Sequence, residues 1–249
     1  NWGPDGRFLL VNAEGRLWRV PLERPALDPF DTGFANRCNN DHGFSPDGRW
    51  LALSHHTGRG AEIFRMPAEG GVPMAVTHAA PSWFHGWSPD GARITYAAAR
   101  GGSRRVDIYT AAADGSDERR LTFGSGHADG PDYGADGQWI YYNSDQSGPA
   151  QIWRVRPDGS GHQKLFADER VNWFPHPSPD GEWVVYLSYP PGTKGHPADL
   201  PVQVCRMRPD GSDRVILAEI TGGQGTMNVP SWSPDGKGFA FIAYGHEGL

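Results

Sequence analysis

Six copies of one tight turn punctuate the chain and limit what it can become. They are Gly3-Pro4-Asp5-Gly6, Ser45-Pro46-Asp47-Gly48, Ser88-Pro89-Asp90-Gly91, Gly134-Ala135-Asp136-Gly137, Ser178-Pro179-Asp180-Gly181 and Ser233-Pro234-Asp235-Gly236. Proline presets φ for a turn position, and Asp-Gly supplies the side-chain hydrogen bond and the positive φ that reverse a chain between strands. The closing glycines fall at 6, 48, 91, 137, 181 and 236, so the spacings are 42, 43, 46, 44 and 55 residues. That is the length of a four-stranded propeller blade.

The segments between the turns read as strands. After a turn comes a short β-rich run, as in Arg49-Trp50-Leu51-Ala52-Leu53-Ser54 or Glu182-Trp183-Val184-Val185-Tyr186-Leu187. An alternating run follows, such as Val106-Asp107-Ile108-Tyr109-Thr110 or Gln151-Ile152-Trp153-Arg154-Val155. A second turn, such as Pro157-Asp158-Gly159-Ser160, then leads to a fourth strand. With 34 Gly and 22 Pro, long helices are excluded, while 10 Trp, 8 Tyr and 11 Phe supply the aromatic surface that sheets bury. One such sheet cannot bury both faces, so the units must pack around an axis. The expectation is an all-β, six-bladed β-propeller of four-stranded antiparallel blades, one domain over residues 1–249. Its last blade is expected to be incomplete, because the sixth unit has its first two strands through Tyr244 and then stops at Leu249. Residues ahead of Asn1 are expected to have completed it.

A net charge of −6 with scattered basic residues offers no phosphate-tracking stripe, which argues against a nucleic-acid partner. No run of 18 apolar residues occurs, so no membrane-spanning helix is expected. Asn1 opens directly into repeat sequence, without the pattern of a secretory signal. Cys38 and Cys205 lie in different repeats and are expected to be free thiols.

The Ser-Pro-Asp-Gly turn, the Ile-Trp/Tyr-Arg strand, the Asp-Gly-Ser turn and a Leu-Thr ending (Leu121-Thr122) together resemble the TolB-type, WD-related propeller repeat over nearly the whole chain. That family includes scaffolding propellers of the bacterial envelope, peptidase-associated propellers and oligogalacturonate lyases. The resemblance implies a periplasmic or secreted location. No Gly-x-Ser-x-Gly elbow exists, and 249 residues leave no room for a peptidase domain, so serine peptidase chemistry is excluded.

The segments preceding each turn should converge on one mouth of the channel, and they are polar. Asn39, Asn40, Asp41, Trp83, Asp129, Asp132, Asn172, Trp173, Gln224 and Asn228 are the expected ligand-binding residues. His42 and His85 each lie five residues before a turn aspartate and should be equivalent in neighbouring blades. His176 lies four before, as does Asp132, so alternation along a strand could turn these two differently. His42, His85 and His176 are the candidate acid–base residues, and with Gln224 the candidate ligands of a divalent metal, Ca, Mn or Zn. No tight metal motif such as His-Glu-x-x-His is present. By resemblance, oligogalacturonate lyases bind a metal through histidines and a glutamine, which His176 and Gln224 match. Gln224 is followed by Gly225-Thr226-Met227-Asn228, without nearby histidines, a departure from that pattern. Trp83, Phe84, Trp173 and Phe174 could hold sugar rings or simply pack between blades. The long loop of the fifth repeat brings Lys194 and His196 within reach of an anionic ligand.

Two functions therefore compete. One is a channel-mouth site that binds a small molecule or oligosaccharide, or processes it as a polysaccharide lyase or hydrolase, the sugar being acidic and the chemistry metal-assisted. The other is a scaffold for protein partners in the bacterial envelope.

Overall fold

The computed structural model describes residues 1–124 and 126–245. The first sheet contains β1 (Phe8–Ala13), β2 (Arg16–Pro21) and β3 (Asp28–Pro29). Trp2 bridges Leu9 in the innermost position, so the chain's first residues belong to this blade, as the repeat pattern implies. The second sheet holds β4 (Cys38–Phe44), β5 (Trp50–Thr57), β6 (Gly60–Pro67) and β7 (Met74–Ala75). The third holds β8 (Ser82–Trp87), β9 (Arg93–Ala98), β10 (Asp107–Ala112) and β11 (Arg119–Arg120). The fourth holds β12 (Ala128–Tyr133), β13 (Ile140–Ser144), β14 (Gln151–Val155) and β15 (Gln163–Lys164). The fifth holds β16 (Val171–Pro177), β17 (Val184–Tyr189), β18 (Leu200–Met207) and β19 (Val215–Gly222). Each is an antiparallel meander ordered from channel to rim.

The fold is thus a five-bladed propeller, which corrects the expected six blades. The sixth turn forms, but among the described residues its flanks meet only in the isolated Trp232–Phe239 bridge. That bridge is made by Ser233 N donating to Gly238 O and Ala240 N to Ser231 O; beyond it Ile242 N donates to Thr226 O and Tyr244 N to Thr221 O. A sheet needs consecutive pairing along one partner, and a segment whose later bonds leave the first partner extends none.

The turns themselves do close a ring of six. Their glycines share one left-handed conformation, with φ of 71, 68, 68, 66, 73 and 69° in chain order. In the Ser-Pro-Asp-Gly copies the serine hydroxyl donates to the aspartate, as in Ser88 Oγ to Asp90 Oδ1 at 2.6 Å, and accepts from the backbone five residues on. Each turn glycine faces the preceding turn's second residue: Gly48 meets Pro4, Gly91 Pro46, Gly137 Pro89, Gly181 Ala135, Gly236 Pro179 and Gly6 Pro234. The last contact joins the two ends of the array.

The core lies between sheets. Leu10 and Leu17 of the first blade pack with Leu51, Leu53 and Phe64 of the second, all buried. Phe84, Ile94 and Tyr96 of the third blade pack on Ala52 and Ile63 of the second. No helix of the described residues is long and apolar enough to cross a membrane. Cys38 and Cys205 are free and buried, as expected. Burial pushes the Cys38 thiol up to about 12 and that of Cys205 to about 11. In the native protein at pH 8, alkylation should therefore run about a hundredfold slower than at an exposed thiol, with both sites modified once the chain is denatured. Intact mass measured with and without denaturant reads the difference; rapid native labelling of either cysteine would contradict the packing.

Candidate functional site

The inner strands set the channel chemistry, and four of them are bulged. Register shifts fall between Cys38 and His42, Phe84 and Gly86, Asp129 and Asp132, and Trp173 and His176. A bulge re-aims side chains and breaks strict alternation. Counting back from the turn therefore misjudges direction, and His85 and His176, at different offsets, both point into the channel's interior.

Both rings are held in the same way. His85 Nδ1 lies 3.1 Å from the Asn228 carbonyl and His176 Nε2 lies 2.9 Å from that of Met227. A carbonyl can only accept, so these nitrogens carry hydrogen. The other nitrogens face carboxylates: His85 Nε2 lies 3.2 Å from Asp129 Oδ1, and His176 Nδ1 lies 3.1 Å from Asp132 Oδ2. Each pair must share one further proton. Burial alone would lower the His85 pKa, but the Asp129 hydrogen bond and the charges of Asp41 and Asp129 raise it on balance. Burial likewise works against the Asp129 carboxylate, yet hydrogen bonds from His127 and His85 hold it well below the usual range. Asp132 is shifted the other way, upward, because burial outweighs His176.

These two pairs and the backbone carbonyls at residues 227–228 meet in the interior of the ring. At the mouth away from the turns, Asp129 is the centre. His127 Nε2 lies 3.5 Å from Asp129 Oδ2 and His196 Nε2 lies 3.8 Å from the same oxygen. His196 comes from the loop at residues 190–199, whose Pro197 carbonyl accepts from Gln224 N at 3.2 Å. Its Nδ1 contacts Gln224 Oε1, which also accepts from Asn228 Nδ2 at 3.1 Å. The imidazole sits 4.4 Å from the Trp173 ring and 5.1 Å from Phe174. The side chains of His127 and His196, 36% and 27% exposed, are more open to solvent than Asp129, at 14%.

Of the expected site residues, the fold gathers His85, Asp129, Trp173, Gln224 and Asn228 here, with Asp41 close enough to His85 and Asp129 to feel both charges. Asn39 braces Asp41, accepting its backbone N–H at 3.1 Å. The others go elsewhere. His42 Nε2 bonds Leu10 O at 3.0 Å, and burial pushes that imidazole down to about 3, so it is neutral. Asn40 Nδ2 is buried without a partner, beside Gly225. Asn172 is buried between blades, donating to Gln151 and Asp168 at 3.1 and 3.0 Å. Trp83, half-buried, makes no hydrogen bond or ring contact with the cluster among the described residues. Phe84 is core. Lys194 is exposed on the loop.

The expected metal set does not assemble. His42, His85 and His176 point to three different partners, and both nitrogens of His85 and His176 are engaged by a carbonyl and a carboxylate. Among the described residues no group of three or more His, Cys, Asp or Glu is arranged to hold a metal ion. The residues do not fit that group. His127 was not among the site residues expected from sequence, and His196 was expected to reach an anionic ligand from its loop, not to partner Asp129. His127 lies two positions before Asp129, the one local signal, whereas His196 reaches the mouth only through the folded loop.

A propeller with histidine–carboxylate pairs in its interior and a polar cluster at one end is the class this geometry defines. The family model described as the TolB beta propeller domain, PD40, matches residues 77–242, and the chain belongs to that family. An uncharacterized protein of Agrobacterium fabrum is 49% identical over 246 residues, covering 98% of this chain and 83% of that protein. The solved structure of a provisionally assigned TolB from Agrobacterium tumefaciens is 48% identical, with a TM-score of 0.96 over 99% of this chain and 89% of that one. Oligogalacturonate lyase in complex with manganese is similar in fold alone, at 15% identity and a TM-score of 0.59, over 88% of this chain and 64% of that one.

The buried charges predict a stability profile. Burial, chiefly, pushes the Asp41 carboxyl up to about 6, and its folded pKa lies above the unfolded value near 3.9. The stability linked to it is full below the unfolded value and is lost as pH rises through about 6. His85, also raised, acts in the same direction, its share being lost above the unfolded value near 6.5. These terms fall with pH, whereas the buried His42 imidazole, pushed down to about 3, adds a term that rises up to its unfolded value near 6.5. Asp41→Asn removes only a falling term, of at most about 3 kcal/mol, so the melting temperature of the variant should climb more, or fall less, between pH 5 and pH 8 than that of the parent. Calorimetry of both proteins across that window reads the difference, and identical slopes would contradict the assignment.

Proposed function

We propose that this TolB-like propeller binds an acidic, hydroxylated ligand of the uronic-sugar class at the histidine mouth. The observation that carries the reading is the convergence of His85, His127 and His196 on one half-buried carboxylate, Asp129. The pKa of His127 is raised; burial opposes this, but the hydrogen bond and charge of Asp129 prevail. With the His85 pKa raised as well, two imidazoles that favour the protonated form face a single strongly acidic group, and Lys194 is exposed on the loop that carries His196. The half-exposed imidazole edges offer N–H groups to a carboxylate and to hydroxyls. Recognition here uses the chain's own side chains, without a metal. The role is binding. A periplasmic or secreted location fits such a ligand.

A second reading rests on a different surface. β19 is eight residues long where the outer strands of the other blades have two, and Val215, Ile216 and Leu217 on it are 40%, 53% and 42% exposed. A long apolar edge favours contact with a protein partner, as in an envelope scaffold.

Thermal shift with a panel of neutral and uronic oligosaccharides separates the readings. At 100 times its dissociation constant a ligand of the folded state adds about 2.7 kcal/mol. Uronic members should raise the melting temperature, neutral ones of equal length should not, and His127→Ala or His196→Ala should reduce the response about tenfold in affinity, the loss of one charge-assisted hydrogen bond. Equal shifts from both classes, or none from either, would remove the acidic-sugar reading.

A further inference from the structure

The opposite mouth has different chemistry. The ring of turns encloses a cavity of about 410 Å³, walled by the turn prolines with Trp2, Phe44, Trp87 and Trp232 and floored by His85, Gly86 and Asp132. Its polar groups are largely engaged: the turn serines bond their aspartates, Trp87 Nε1 donates to Gly43 O at 3.0 Å and Trp232 Nε1 to His176 O at 3.0 Å. Trp2 Nε1 is buried with no partner among the described residues, and the rest of the lining is aromatic and proline surface above one carboxyl, Asp132, whose Oδ2 takes the His176 contact. The floor is tight, since a Cβ on Gly86 would lie 2.5 Å from Asp132 Oδ1.

The ring has one gap. The fourth turn carries Ala135 where the other five carry proline. There the cavity continues sideways into a groove that shares Ala135, Pro177 and Pro179 with it and contains Asp136 and Asp180. Both aspartates are exposed, and neither has an ion-pair partner among the described residues, whereas Asp47 pairs with Arg49 and Asp235 with Lys237. Asp136 and Asp180 use Oδ1 for their own turns, accepting from Gln138 N and from Ser178 Oγ and Glu182 N. Hydroxyl donation from Ser178 keeps the Asp180 carboxylate ionised by lowering its pKa.

We infer that this mouth binds an organic cation, an ammonium group on a small apolar body, seated among Trp2, Trp87 and Trp232 and flanked by Asp136 and Asp180. Aromatic faces attract cations through the ring quadrupole, and they do so better where water is excluded, as in an enclosed cup. The carboxylates beside the gap supply the complementary charge, and the apolar walls supply contact area. Among the described residues lining the cavity and groove there is no Lys or Arg, so an anion would meet carboxylates there without either cation. A neutral apolar ligand would gain nothing from the acidic groove.

Choline and its uncharged isostere 3,3-dimethylbutan-1-ol test the inference by isothermal titration on the full chain. Choline should bind saturably at one site, with the isostere at least about tenfold weaker. Asp180→Asn removes rim charge, and Ala135→Pro gives the fourth turn the proline of its five counterparts and narrows the gap. Each should weaken choline about fivefold, a loss expected of one exposed charge contact, with the melting temperature held. Uronic-sugar binding at the far mouth should be untouched by both variants, so failure there and failure here are separable. Equal affinity for the two probes, absence of saturable choline binding, or choline binding indifferent to both variants would overturn the inference.

Discussion

The carbonyls of Met227 and Asn228 are the contacts on which the channel depends. Each accepts from a buried histidine of another blade, His176 from the fifth and His85 from the third. By fixing one nitrogen as a donor they force the other to share a proton with Asp132 or Asp129. Two carboxyl groups can then sit in the interior without facing each other as bare charges, a situation that would cost several kcal/mol per ion. The unit that forms no sheet thus positions the titratable groups of the units that do.

That division of labour explains how five sheets make a closed ring. Sheet packing unites neighbouring blades through Leu10 and Leu51 or Ile63 and Phe84, and it runs only as far as there are sheets. The remaining sector is spanned by smaller contacts: the sixth turn wedged between Pro179 and Gly6, Asn1 Nδ2 donating to Pro230 O at 2.5 Å, and Asn1 Oδ1 accepting from Phe44 N at 3.3 Å. Only at the turns are all six units equivalent, because the turn is a local structure that needs no partner strand. Its conformation follows from Pro, Asp and Gly, and its stacking on the preceding turn follows from having the same shape.

The same distinction shows what could be read from the residues. Turns, strand order within each unit and the membership of Trp2 in the first blade follow from local chemistry repeated at a fixed spacing. The blade count did not, because the first strands of a sixth unit are present in sequence, and whether they pair depends on backbone bonds that Ile242 and Tyr244 make elsewhere. At the site, Asp129, His85 and Gln224 were marked because polar residues before a turn must enter the channel. His42 was marked by the same rule and is instead a neutral ring on Leu10 O. The rule fails there because the bulge in β4 shifts its register and because the neighbouring blade offers a carbonyl in place of a carboxylate. Asn172, also on an inner strand, is consumed by Gln151 and Asp168 of the fourth blade and the loop ahead of its own strand. Which partner a side chain finds is set by its neighbours, and neighbours across a ring are not written in local sequence.

The interior histidine–carboxylate pairs also set how the two ends relate. Asp129 and Asp132 are three residues apart on one bulged strand, yet they serve opposite mouths, Asp129 that of His127 and His196 and Asp132 the cup of turns. Their environments pull them apart: Asp129 receives two imidazole hydrogen bonds and stays ionised, while Asp132 has one and is raised by burial. His85 lies between, bonded to Asp129 and lining the cup beside Asp132. Moving a proton at His85 therefore alters the charge seen from both sides. At an effective dielectric of about 20, two charges about 6 Å apart interact by roughly 3 kcal/mol, larger than a typical surface ion pair. The bulge between Asp129 and Asp132 is what permits this, since strict alternation would put residues three apart on opposite faces of the sheet and only one of them in the channel.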